Sequence, residues 1–286
     1  MNKTQSQNPL ADKVQDWAYG FLHSPASYDG KSAQDIIKAE IKEAQTIFKR
    51  ELPKRKASET RQTIKTQDGL ELRYWFIEKA NNSKIKILLH GSGGNFAKAD
   101  RAVALLDRGF NIAMISYRGH SGNPGKADQR SIINDVTATI QAIMLDFPMQ
   151  EIYLEGSSLG TSILAHSLKR IYQDAPIGEQ FASLLLKAAP LNLNDRDQDT
   201  VDSLKAAGID ANRAQPFLKK LWNQEDAYSK IRAAEIIIVH GSLDDVVPVE
   251  HASKIKDILA RNNSNITLRL IDGEGHQLNL HQYGIY

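Results

Sequence analysis

The stretch "EIYLEGSSLGTSILAHSLKR", residues 151–170, decides the fold. Its first half is a short apolar run that ends at glycine, and its second half has the apolar spacing of a helix. A strand therefore passes into a helix through "GSSLG", residues 156–160, with almost no loop between them. Gly156 and Gly160 stand two positions either side of Ser158, so the GxSxG register selects Ser158 and not Ser157 as the apex. Such a turn strains the backbone of the serine and tolerates only very small flanking side chains. The helix behind it points unsatisfied N–H groups and its positive dipole end at the apex. Glycine and serine are common at turns, so the pentapeptide means little until the surrounding strands are placed.

Short apolar runs alternate with helical stretches on both sides of this turn. "IKILLHG" precedes a predicted helix over 97–108, "NIAMISYRG" one over 129–147, and "EIYLEGS" one over 159–172; "SLLLKAAP" follows. Then come "EIIIVHGSLD", a helix over 249–261, and "ITLRLIDGEGH". Strands that read as near-continuous hydrophobic runs between helices imply a parallel sheet covered on both faces. Ahead of them, "RQTIKTQDGLELRYWFIEKA" is two alternating runs around Asp68-Gly69, a hairpin signal. The predicted fold is α/β: a mostly parallel, doubly wound sheet with an N-terminal antiparallel hairpin at one edge. Its ligand site belongs beyond the carboxyl ends of the strands.

Up to about Ala57 the periodicity is helical. Leu10, Val14, Trp17, Phe21 and Leu22 fall on one face, and Ile36, Ile37, Ile41, Ile47 and Phe48 on another, with "HSPASYDG" between and Pro53 as a breaker. Residues 1–57 are thus read as an N-terminal helical extension and 58–286 as the main domain, with a short helical cap at about 191–234.

At 286 residues, 41% hydrophobic and 24% charged, the chain has the composition of a globular protein. A net charge of +2 from 36 basic and 34 acidic residues does not point to nucleic acid. The absence of cysteine excludes disulfides and thiolate chemistry. No apolar leader opens the sequence, and no run approaches the roughly 18 apolar residues of a membrane span. A cytoplasmic location is the expectation, and leaderless secretion would leave the same sequence. No HxH or HExxH spacing implies a metal, and the lack of GxGxxG implies no dinucleotide cofactor.

A serine at neutral pH needs an imidazole to take its proton, and that imidazole needs a carboxylate to hold its tautomer. The strand ends supply both: "HGSLDDVVP" follows one and "GEGHQL" the other, which puts Ser158, Asp244 and His276 in the chain order Ser, Asp, His. With "HGSGGN" after the first central strand and "SYRGHSGNPG" after the next, this set resembles the α/β-hydrolase superfamily over roughly residues 61–286. The resemblance implies Ser158 as nucleophile, His276 as base and Asp244 as acid, with the backbone N–H groups of Leu159 and Ser92 as oxyanion donors. Asp245, adjoining Asp244, reads as a solvated turn residue, and Asp195 and Asp197 occupy the alternative acid position of some relatives. His90 and His240 precede glycines and read as structural turn residues. His166 and His251 lie in helices and His281 in the tail, while His120 falls in the "RGHSGNPG" loop within reach of substrate.

The reading that follows is a serine hydrolase of esters or thioesters, acting on a small-molecule or acylated substrate without a cofactor. Amide or peptide cleavage ranks below it, because "GSSLGT" lacks the second glycine that many peptidase relatives carry. A non-catalytic scaffold of the same fold is the competing class. Trp17, Phe21, Leu22 and the basic run 49–56 form a candidate docking face for a membrane surface or protein partner, the alternative being that they pack on the main domain. Leu221 and Trp222, in the cap, are expected to point toward the core or pocket. Since only about ten residues follow His276, the N-terminal helices are expected to cover surface that a longer C-terminal helix would protect.

Overall fold

A computed structural model of the chain describes residues 9–11, 13–14, 33–91, 99–174, 181–191, 204–218 and 222–286. Among the described residues, eight strands form one sheet: β1 (Ala57–Lys65), β2 (Glu71–Lys79), β3 (Lys84–Leu89), β4 (Phe110–Ile115), β5 (Glu151–Ser157), β6 (Phe181–Lys187), β7 (Ile236–Gly241) and β8 (Ile266–Ile271). Their order is β1-β2-β4-β3-β5-β6-β7-β8. The β1–β2 hairpin and its junction to β4 are antiparallel, and every other pair is parallel. The helices are α1 (Ala33–Glu51), α2 (Ala99–Leu106), α3 (Gln129–Asp146), α4 (Leu159–Asp174), α5 (Ala211–Leu218), α6 (Gln224–Tyr228) and α7 (Glu250–Leu259).

The apolar runs become central strands because both of their faces are covered. One face carries Ile85, Ile87, Leu89, Leu154, Leu184, Leu186, Ile236 and Ile238 against Ile140, Ile163, Leu168 and Ile255 of the helices. Burying each such side chain contributes about 1.5–3 kcal/mol. α3 begins where Asp128 Oδ1 accepts the Ser131 N–H at 2.9 Å, an N-cap that satisfies one orphan donor.

The opposite face is closed in two ways. Over β2 and β4, Trp75, Ile77, Ile112 and Met114 pack on α1 and α2 through Ala44, Phe48, Ala102 and Leu105. Phe48 meets Trp75 with ring centroids 5.4 Å apart. Over β6 and β7, Leu185 and Val239 are covered by Leu278, Leu280 and Ile285. The N-terminal helix therefore does only part of the covering that was expected of it: the chain's own last residues, through a 3₁₀ turn at Leu280–Tyr283, seal the rest.

Between these two patches lies a buried charge cluster. Lys86, Arg101, Glu155 and Lys187 are each at most 8% exposed. Arg101 engages both oxygens of Glu155, at 3.3 and 2.7 Å, and donates to the Ile285 carbonyl at 2.6 Å. Lys86 Nζ stands 3.7 Å from Glu155 Oε2, and Lys187 Nζ donates to the Leu278 carbonyl at 3.2 Å. Burial alone would raise the Glu155 carboxyl, but the charges of Arg101 and Lys86 outweigh it and hold the group at about 2.

At the N-terminus, Val14 is fully buried among Leu204, Ile209 and Ala214, with Leu10 and Phe217 packed alongside. Trp17, Phe21 and Leu22, on which the docking reading turns, lie outside the described residues, as do the side chains of Ile36 and Ile37. Among the described residues no helix is long and apolar enough to cross a membrane.

Candidate active site

Ser158 is the single residue between β5 and α4, and its backbone is left-handed, with φ of +51°. A non-glycine residue held there costs on the order of 1–3 kcal/mol, a cost that the surrounding structure must impose. It does so with hydrogen bonds: Ser158 N–H donates to the Lys187 carbonyl at 2.8 Å, and the Ser158 carbonyl accepts from Thr161 N–H at 2.9 Å and Thr161 Oγ1 at 2.6 Å.

The flanking glycines are explained by contact distances. A Cβ on Gly156 would sit 2.8 Å from Thr161 Cα, and one on Gly160 would sit 2.6 Å from the carbonyl oxygens of both Leu89 and His90. The helix thus packs its first turn directly on the end of β3. Gly91 continues that end, and a Cβ there would lie 3.1 Å from Ser158 Cβ. Gly160→Ala is therefore expected to push α4 off β3 and to destabilise the protein by about 1–3 kcal/mol or more. The measurement is the urea midpoint at constant m-value.

Asp244 and His276 follow β7 and β8, which are parallel neighbours. The loops after them are locked together, since Ser242 N–H donates to the Ile271 carbonyl at 2.9 Å and Leu243 N–H to the Glu274 carbonyl at 2.8 Å. A Cβ on Gly241 would come within 2.5 Å of the Gly275 carbonyl oxygen, so glycine is what allows this approach. The result is a continuous chain of contacts. His276 Nε2 lies 3.1 Å from Ser158 Oγ, and His276 Nδ1 lies 2.9 and 3.0 Å from the two oxygens of Asp244.

The Asp244 side chain has no solvent exposure, against 12% for that of His276. Its Oδ1 accepts the backbone N–H groups of Val246 at 2.9 Å and Val247 at 2.8 Å. His240 Nε2, directed at the Val247 carbonyl at 3.0 Å, passes 3.2 Å from Asp244 Oδ2. Burial would raise this carboxyl; the contacts from His240, His276 and the Val247 N–H outweigh it and hold the group well below the usual carboxylate range. A histidine that touches a strained serine and is backed by an anion can take the proton of that serine, the anion stabilising the resulting positive ring.

The other candidates fall elsewhere. Asp245 is exposed, while Asp195, Asp197, Ser92 and Leu221 lie outside the described residues. Leu159 opens α4, where the first-turn N–H groups find no acceptor inside the helix. His120 is only 6% exposed, with its ring centroid 5.7 Å from that of His90 and 5.8 Å from that of Tyr117. Burial pushes its ring down to about 4. His166 packs on Trp222, itself buried in the core, with ring centroids 5.5 Å apart, and His251 Nδ1 accepts the Leu191 N–H at 3.2 Å. Sequence reasoning passed over Arg118, which pins the loop after β4 by pairing with Asp135 at 2.5 Å and Asp68 at 2.8 Å. Among the described residues no cluster of His, Asp or Glu is arranged to hold a metal ion.

The model of the prolyl oligopeptidase family, Peptidase_S9, matches residues 180–286, the part that carries Asp244 and His276 but not Ser158. The uncharacterized protein YfhR of Escherichia coli K12 is 24% identical over 216 residues, covering 73% of this chain and 70% of the relative. The esterase Pf2001 of Pyrococcus furiosus superposes with a TM-score of 0.61 at 20% identity, over 79% of this chain and 84% of that one. The acylaminoacyl peptidase of Pyrococcus horikoshii gives a TM-score of 0.59 at 14% identity, over 77% of this chain and 38% of that one. At these identities the likeness is one of fold.

Proposed function

The chain is an α/β hydrolase by fold, and on that premise we propose that it is a serine hydrolase cleaving carboxylic esters or thioesters. The observation that carries this reading is the unbroken line from Ser158 Oγ through His276 to Asp244, at 3.1 and 2.9 Å. Ser158 Oγ bonds to the substrate carbonyl carbon as its proton passes to His276 Nε2, and Asp244 holds the ring with Nδ1 donating. Negative charge on the former carbonyl oxygen is met by N–H groups of Leu159 and Ser92. His276 returns the proton to the departing alcohol or thiol, leaving Ser158 acylated. Water, deprotonated by the same imidazole, attacks the acyl carbon; the bond from that carbon to Ser158 Oγ breaks as His276 returns the proton to Oγ, and the carboxylic acid is released.

Esters come before thioesters, protein depalmitoylation included, in this proposal. The esterase among the fold neighbours supports putting esters first, and the lack of a second glycine after "GSSLG" puts amide cleavage lower. The match to the prolyl oligopeptidase family favours a second reading, cleavage of a peptide or acylated amino acid. Acyl transfer to serine is common to both. They differ in the leaving group, an amine being far harder to expel without well-timed protonation by His276.

Labelling with a fluorophosphonate probe tests the shared step. The intact protein is expected to label and Ser158→Ala to remain unlabelled; an unlabelled intact protein would sink the hydrolase reading in favour of a non-catalytic scaffold. A series of p-nitrophenyl esters of rising acyl length, run beside N-acyl peptides, then separates the two. Peptide turnover matching ester turnover in kcat/KM would displace the ester reading.

A further inference from the structure

We propose that His240 is a positioning residue of this site, holding the Asp244 carboxylate in the one orientation from which it can serve His276. The inference deepens the proposed function and rests on reading Asp244 and His276 as partners. In sequence His240 looks like His90, a histidine before a glycine at a strand end. In space the two differ. His90 turns its Nδ1 to the Gly91 carbonyl at 2.8 Å and packs on Tyr117, whereas His240 ends beside the acid.

The His240 ring has no solvent exposure. Its Nε2 lies 3.0 Å from the Val247 carbonyl oxygen and 3.2 Å from Asp244 Oδ2. Both neighbours are acceptors, so the ring hydrogen belongs on Nε2 and Nδ1 carries the lone pair. That Nδ1 is buried and has no hydrogen-bond partner among the described residues. A buried, unpaired ring nitrogen is a cost that an apolar side chain of similar size would not incur. What the histidine gains in exchange is all at Nε2.

The contacts close into a ring. Val247 gives its N–H to Asp244 Oδ1 at 2.8 Å and its carbonyl to the histidine that touches Oδ2. Val246 N–H adds a second donor on Oδ1, at 2.9 Å. Apart from His276, Oδ2 has only His240 among the described residues. Without that contact Oδ2 is left with His276, the carboxylate can pivot about the N–H bonds at Oδ1, and His276, guided by both oxygens, drifts relative to Ser158. Misplacement of about 1 Å in a reacting pair costs on the order of 100-fold in rate and little in binding.

The test compares His240→Leu with His240→Gln, which restores an N–H donor. The leucine variant is expected to lose about 10- to 100-fold in kcat on a p-nitrophenyl ester with KM within about three-fold, and the glutamine variant to recover most of the loss. In the intact protein carrying ¹⁵N-histidine, NMR is expected to show His240 as the Nε2–H tautomer. It is also expected to show a low-field His276 Nδ1–H proton that moves upfield in the leucine variant. The spectra need no turnover, so a protein that neither labels nor hydrolyses would defeat the hydrolase reading while leaving this one to be judged. An Nδ1–H tautomer at His240 overturns the proposal. So does a glutamine variant as impaired as leucine, or a leucine variant with an unmoved His276 proton. Should the leucine variant not fold, the tautomer and the glutamine variant decide.

Discussion

Replacing Ser158 with alanine is expected to lower kcat on an activated ester by about 10⁴- to 10⁶-fold while leaving the fold intact. The magnitude follows from the proposed mechanism: Oγ is the atom assigned to bond to the acyl carbon, and among the described residues no other side chain hydrogen-bonds His276 Nε2 to take its place. Removing the His276 ring should cost a similar factor, and the double variant little more, because the two act as one unit. Additive losses would mean that the serine and histidine work separately. Alanine also relieves no backbone strain at φ of +51°, so the folded state should survive the change with an altered midpoint of at most about 1 kcal/mol. A variant that loses activity through unfolding would reveal itself in the far-UV signal.

Arg101→Met is the substitution expected to cost most in stability, about 3–5 kcal/mol. The arginine side chain is 6% exposed and supplies both hydrogen bonds to the buried Glu155 carboxylate, together with one to the Ile285 carbonyl that anchors the chain's last residues. Methionine fills much of the volume but leaves the carboxylate with only the more distant Lys86 and Lys187. The pH dependence has a definite sign. The Glu155 carboxyl is held at about 2 in the folded protein, below its ordinary 4.5, so its contribution is complete above about 4.5 and disappears as pH falls toward 2. Urea midpoints of the intact protein should therefore decline between those values, and Glu155→Gln should flatten the decline. An Arg101→Met midpoint within 1 kcal/mol of the parent would show that the cluster is not held by this pair.

The positions of strands and helices were legible because both depend on local pattern. "IKILLHG" and "EIIIVHG" are each built on an apolar run, Ile87–Leu89 and Ile236–Val239, and a strand covered on both faces favours such runs. "GSSLG" was legible for a harsher reason: glycine at 156 and 160 is demanded by backbone atoms at 2.8 and 2.6 Å, so the turn leaves a mark that composition alone would not produce. The partners of Ser158 could be nominated from strand ends and chain order. Their hydrogen bonds could not, because His276 is 118 positions away in sequence and reaches Ser158 only through the order of strands β5 to β8.

The charge cluster shows the limit from the other side. Lys86 interrupts an apolar strand and reads locally as a residue facing water, yet it is buried beside Glu155. β3 and β5 are hydrogen-bonded neighbours although β4 intervenes in sequence, and α2 brings Arg101 across their face. His240 is a similar case, since the same dipeptide that makes a turn at His90 contacts a carboxylate at His240.

What the sequence by itself determined was the alternation of elements, the strained turn and the residue types able to do the chemistry. These rest on interactions within a few residues of one another: spacing of apolar side chains and the room that glycine leaves. Tertiary structure alone decided which charges are buried, which of the two histidines contacts Asp244, and that residues 278–285 cover β6 and β7. Those outcomes depend on strand order and on electrostatic pairing between distant segments, for which the sequence holds no local signal.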